Sequence, residues 1–172
     1  MSTAESFDAA LFSRLVDGLY VEAMVMADEA RSYFDRQAGE EKGKLDMMTR
    51  LTFSCESLKV TTRLMHVIAW LLTQKAWQRG EITAQALTDQ KYRLGQAGAT
   101  EPSALALMPT GARELVRGSE ALYGRVKRMQ EQVLKALAQP ASVEVLGENP
   151  RHDAADVPSP ARDLLTRLEK AF

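Results

Sequence analysis

The 172-residue chain is 45% hydrophobic and 26% charged with a formal net charge of −1, the composition of one globular domain large enough to bury its own core. A pI near 6.2 argues against a general nucleic-acid binder, which needs a basic excess to meet phosphates. The single cysteine forms no internal disulfide and suits a reducing cytoplasm; acids near the start stand where a signal peptide would be basic, and Lys59, Arg63 and Lys75 interrupt the best apolar stretch, so no membrane span is expected.

In chain order, the first predicted helix covers about 7–37, after Ser6 as its N-cap. Phe12, Leu15, Val16, Leu19, Tyr20, Ala23, Met26, Ala27, Ala30, Tyr33 and Phe34 recur in steps of three and four, the spacing of an amphipathic helix. A weaker stripe of Phe7, Leu11, Gly18 and Val25 is either scattered surface or a contact for another subunit. Phe7, Leu11 and Val25 are therefore the dimer candidates.

The polar stretch QAGEEKG is the expected turn to a second helix over about 44–79, stopped by Gly80. Cys55, Leu58, Thr62, Met65, Ala69, Leu72 and Ala76 follow a 3-4-3-4 spacing, a heptad seam whose small side chains would let neighbouring helices approach closely. Phe53, Val60, Leu64, Val67 and Leu71 form a second apolar row. A helix apolar on two sides is packed on two sides, so this is the expected central helix.

Between those rows runs a polar strip of Glu56, Lys59, Arg63, His66, Trp70, Gln74 and Trp77. It holds both tryptophans of the chain. Either another segment of the chain covers them, or Lys59, Arg63, His66, Trp70 and Trp77 form a partner-docking surface of the kind enriched in Trp and Arg.

A short helix over about 83–94 and the loop GQAGATEPSALALMP follow, a connection expected to fold over the bundle end. The third long helix is predicted over about 110–138, after Pro109. Its core stripe is Leu115, Ser119, Leu122, Val126, Met129, Val133 and Leu137. Its outer face carries Arg113, Arg117, Arg125, Lys127, Arg128 and Lys135, a solvated face or a site for acidic partners. From residue 139 the chain holds four of its six prolines and too few large apolar groups to offset its ordering entropy.

The expectation is thus an all-α, antiparallel three-helix bundle with long helices and a short connecting helix over 1–138, followed by a disordered C-terminal tail over 139–172. Within that tail Ser159, Pro160 and Asp163 mark the start of an amphipathic helix over 160–172. Leu164, Leu165, Leu168 and Phe172 share one side of it, either to enter a partner's groove or to dock back on the bundle.

No constellation nominates chemistry. Cys55 and His66 lie about 16 Å apart along one helix, whereas a nucleophile and its base need about 3 Å. Cys55 reads as a small packing residue and His152 lies in the tail. No His, Cys, Asp and Glu set has metal-ligand spacing, and no glycine-rich phosphate cradle is present. No cofactor and no catalytic residue are expected. The rival reading is a small helical ligand-binding protein or enzyme using a pocket around Arg63, His66 and Trp70.

The block RLTFSCESLKVTTRLMHVIAWLLTQKAWQRGEI, with LYVEAMVMADEARSYFD before it and SEALYGRVKRMQEQV after it, resembles the RcdA family of bacterial regulators of CtrA degradation. The likeness spans about residues 11–137, and SCESLKVTTRLMHVIAWLL is its most distinctive part. The resemblance implies a dimeric three-helix bundle that does no chemistry and serves as an adaptor for the ClpXP protease. It implies as partners the protease unfoldase with its response-regulator priming factor, a cyclic-di-GMP-binding adaptor and transcription-factor cargo that controls the cell cycle. It also implies a cytoplasmic protein concentrated at a cell pole. No nucleic acid and no membrane are expected as partners.

Overall fold

The structure, a computed structural model, describes the backbone of residues 3–40 and 44–138 and the side chains of 10–36, 40 and 44–138. The side chain of Phe7 and the expected tail over 139–172, with Leu164, Leu165, Leu168 and Phe172, lie outside the described residues. Within them there is no strand, and the architecture is an all-α bundle of α1 (Thr3–Glu40), α2 (Met47–Gln78), α3 (Pro102–Ala106) and α4 (Thr110–Ala138).

Helix ends follow local chemistry. The α1 helix begins at Thr3 and continues to Glu40, so Ser6 lies inside it rather than capping it, and the helix runs three residues past its expected end. Asp46 caps α2, its carboxylate accepting the Thr49 N–H at 2.6 Å. At the other end Gly80 adopts a φ of 77°. Its N–H reaches the Trp77 carbonyl and the Glu81 N–H the Ala76 carbonyl, the paired bonds of a Schellman turn that a side-chain-bearing residue would strain.

Directions follow from cross-contacts. Arg125 bonds Glu22, Gly118 faces Met26 and Gly111 faces Tyr33, so α4 runs antiparallel to α1. Arg63 bonds Ser119 and Glu120, and Trp77 packs with Val133 and Ala136, so α2 and α4 run parallel. Parallel neighbours need a connection as long as themselves, about 45 Å. The segment after Gly80 supplies it, climbing along the bundle rather than folding over its end.

That crossover is not the expected helix over 83–94. It forms 3-10 turns at Ala86–Thr88 and Gln90–Tyr92, because Thr83 and Asp89 side chains accept the Ala86 and Lys91 N–H groups. Such local bonds compete with helical ones. The short connecting helix is α3 instead, opened by Pro102 at its first turn.

The main core joins Val16, Leu19 and Ala23 of α1, Val60, Leu64, Val67 and Leu71 of α2, and Val116, Leu122 and Val126 of α4, with Leu94 and Met108 from the crossover. Phe34 meets Phe53 edge-on, with ring centroids 5.3 Å apart, which closes the end near the α1–α2 turn. At the opposite end Phe12 meets Trp77 in the same manner at 6.2 Å.

Leu71 is wholly buried and Leu107 is 51% exposed. Leu71→Ala should therefore lower unfolding stability in urea by about 2–5 kcal/mol, and Leu107→Ala by less than about 0.5 kcal/mol. Asp46 makes a second expectation. The Thr49 N–H holds its carboxyl below the ordinary 3.8, so the cap's contribution is present above that value and lost as pH falls through the folded-state pKa. The protection of the Thr49 amide against hydrogen exchange, relative to its intrinsic rate at the same pH, should fall on acidification, and Asp46→Asn should remove that pH dependence.

Candidate functional site

The polar strip of α2 is where the sequence placed a docking surface, and the structure buries most of it. Trp70 and Trp77 are each 3% exposed and Arg63 is 2% exposed; Glu56 and Gln74 are buried, while Lys59 and His66 remain half-buried. Of the two alternatives the sequence left open, the docking surface is therefore corrected and the other holds: a segment of the same chain covers the strip. Trp70 joins the main core with Leu94 and Met108, and Trp77 packs with Leu87, so both tryptophans lie under crossover residues.

What fixes the crossover there is a buried polar network. The Arg63 guanidinium donates to the Gly98 carbonyl at 2.7 Å, to Thr100 Oγ1 at 2.8 Å, to Glu120 at 3.1 Å and to Ser119 Oγ at 3.3 Å. Thr100 in turn donates its hydroxyl to Glu56 at 2.6 Å and its N–H to Glu120 at 2.9 Å. Lys59 bonds Glu56 at 2.7 Å and the Ala99 carbonyl at 3.1 Å. The two cations and two carboxylates balance, which is what allows a guanidinium to be buried at all.

Just below, Gly95 lies against His66. A methyl group at Gly95 would stand 2.7 Å from three atoms of the imidazole ring, so only glycine permits this approach. The Tyr123 hydroxyl completes the clamp on the Gly95 carbonyl at 2.7 Å. The space around Arg63, His66 and Trp70, which the rival reading made a ligand pocket, is thus taken by the chain's own residues 94–100.

The accessible surface lies elsewhere, on the seam expected to pack inside the bundle. Leu58 is 67%, Met65 64% and Leu72 45% exposed, seven residues apart in turn, and Leu51, seven residues before Leu58, extends the row at 59%. Cys55, Thr62 and Ala69 are exposed between them. Met65 also borders an open α1–α2 groove of about 390 Å³ floored by Ala27, Phe34, Leu64 and Ile68. On α1, Leu11 and Val25 are 55% and 52% exposed, and Leu15, placed in the core by its spacing, is 46% exposed. Exposed apolar rows of this length are uncommon on proteins that act alone.

Residues 7–172 match the family described as "Protein of unknown function (DUF1465)". The crystal structure of RcdA from Caulobacter crescentus CB15 is similar at 30% identity and a TM-score of 0.55, over 69% of this chain and 89% of that one. The chain belongs to the RcdA family. No curated protein sequence matches it. For this member of the RcdA family, the network residues Gly95, Gly98, Thr100 and Glu120 carried no periodic signal of their own, and Ser119 carried one only as a member of the α4 core stripe. The one available signal was that Phe53, Glu56, Val60, Arg63, Val67, Trp70, Gln74 and Trp77 also follow a 3-4-3-4 spacing and are all buried.

Because Trp70 belongs to the core, Trp70→Ala should destabilise the bundle by about 3–5 kcal/mol in denaturant unfolding, rather than leave the fold intact.

Proposed function

We propose that this protein is a noncatalytic adaptor that brings cell-cycle regulatory proteins to the ClpXP protease. Membership of the RcdA family over residues 7–172 carries the reading. The bundle suits it: an adaptor needs a rigid platform with open surface, and here the polar interior serves to fix the crossover while apolar rows face outward. In this reading the protein works in the cytoplasm, concentrated at a cell pole. Its partners are the response-regulator-primed unfoldase, a cyclic-di-GMP-binding adaptor and transcription-factor cargo. Among the described residues no helix is long and apolar enough to cross a membrane.

The homodimer belongs to the same proposal, with the Leu51, Leu58, Met65 and Leu72 row of α2 as its centre. A heptad row apolar enough to pack, yet unpacked within one chain, is completed by a second copy set against it. Leu11 and Val25 of α1 are the outlying contacts proposed with it. Such a surface does no bond chemistry; it sets the concentration at which two proteins meet.

In a reconstituted reaction of ClpXP, priming response regulator and cargo transcription factor, adding the protein should raise the rate of cargo loss. Unchanged degradation with every other component present would sink the adaptor reading. Light scattering should give a dimer for the native chain and a monomer for Leu58→Glu combined with Met65→Glu, with helical content retained; a dimer that survives both charges places the interface elsewhere.

A further inference from the structure

The outer face of α4 carries an arrangement that neither packing nor the α2 row explains. Opposite its buried Ala112, Val116, Ser119, Leu122, Val126 and Met129, the helix presents Arg117, Ala121, Gly124, Arg128, Glu131 and Lys135 at steps of four and three. All are exposed except Gly124, which is half-buried. Among the described residues no ion pair or hydrogen bond engages Arg117, Arg128 or Lys135. Elsewhere the cations Arg125, Lys75 and Lys59 pair with Glu22, Asp17 and Glu56.

The glycine is the second observation. Three glycines interrupt α4, and two have a reason in the bundle. A methyl at Gly111 would stand 2.6 Å from the Tyr33 ring and one at Gly118 would stand 3.1 Å from the Met26 methyl, so α1 excludes the first and crowds the second. At Gly124 the added group would meet only the Arg128 Nη1 at 3.5 Å, an ordinary contact. A glycine in mid-helix weakens the helix, and here no contact within the bundle compensates. Flanked by Ala121, it leaves a low point on the helix surface that only the flexible Arg128 side chain overhangs, with Arg117 on the other side along the axis.

We propose that this face is a docking surface for an acidic protein segment: a glutamate- or aspartate-rich helix whose main chain lies over Gly124 while its carboxylates meet the guanidinium forks of Arg117 and Arg128, with Lys135 extending the charge. Planar guanidinium forks match carboxylates in two-point geometry, and removing a β-carbon lets a second backbone come close. Glu131 within the row, and the chain's net charge of −1, disfavour a continuous polyanion such as duplex DNA, which rewards an unbroken basic surface. The face is on a different helix from the apolar row of α2, so its occupancy does not depend on the adaptor reading.

The test uses the full chain and a fluorescein-labelled helical peptide bearing glutamate at successive i, i+4 positions, with its glutamine counterpart as control. Anisotropy should show micromolar binding of the glutamate peptide at low salt, weakened at least about tenfold by raised salt and absent for the glutamine peptide. Arg117→Glu with Arg128→Glu should abolish it. Gly124→Leu should cut affinity about tenfold while leaving the thermal midpoint equal or higher, which separates blockage from misfolding. No binding by the native chain overturns the proposal. So does binding that ignores the Gly124→Leu change or the charge reversals, or duplex DNA of equal charge that outcompetes the peptide.

Discussion

Two long helices that run side by side in the same direction cannot be joined by a turn, and the rest of the structure follows from that constraint. The α2 helix ends beside Trp77 and α4 begins beside Tyr33, so residues 79–109 must travel back along the bundle. A surface segment of that length has its own backbone groups to satisfy. It is tied down at intervals: Leu87 against Trp77, the Leu94 N–H on Gln130, the Gly95 carbonyl on Tyr123, the Gly98 and Ala99 carbonyls on Arg63 and Lys59. The polar strip of α2 is the counterpart of that route. Its charges are there because a backbone, not solvent, lies over them.

This gives the Arg63 network a meaning that stability alone would not. Replacing a buried ion pair with apolar groups is often neutral or favourable, while removing one partner is costly. An apolar α2 edge would bind a crossover as well, but would not distinguish one register of residues 94–100 from the next. The Arg63 fork, Glu56 and Glu120 accept only a segment with carbonyls and a hydroxyl at the spacing of Gly98 and Thr100. The chemistry specifies where the strap lies, and the buried tryptophans then supply the apolar contact beneath it.

Most of α1 and α4 was legible because their polar faces are solvated: Val16, Leu19, Ala23, Leu122, Val126 and Val133 fall where the period puts them and are buried. On α2 the periodic argument met three rows of equal regularity. It found the Phe53–Leu71 row and took Cys55–Ala76 as inside, but could not choose between a covered strip and an open one around Arg63 and Trp70. Hydropathy sees Arg, Glu and Gln as solvated and has no term for the partners that a crossover brings from residues 98 to 120. The same blindness works in reverse for Leu58 and Met65, whose apolar character placed them inside although the chain leaves them exposed. The 3-10 turns at 86–92 were hidden for a local reason, the side-chain caps of Thr83 and Asp89.

The division of labour among the helices then has a simple physical basis. A three-helix bundle has three outward edges and three grooves, and here one groove is closed by the crossover. What remains are faces of unlike chemistry: apolar on α2, mixed apolar on α1 around Leu11 and Val25, basic on α4. An apolar heptad row gains most from a tightly fitted, dehydrated partner, whereas exposed arginines gain little from permanent pairing and more from steering an oppositely charged surface into encounter. Contacts of the first kind are slow to separate and those of the second are quick and salt-sensitive. Were both proposed contacts made, their placement on different helices would let one protein hold a lasting partner and exchange a transient one without either contact having to be broken for the other to form.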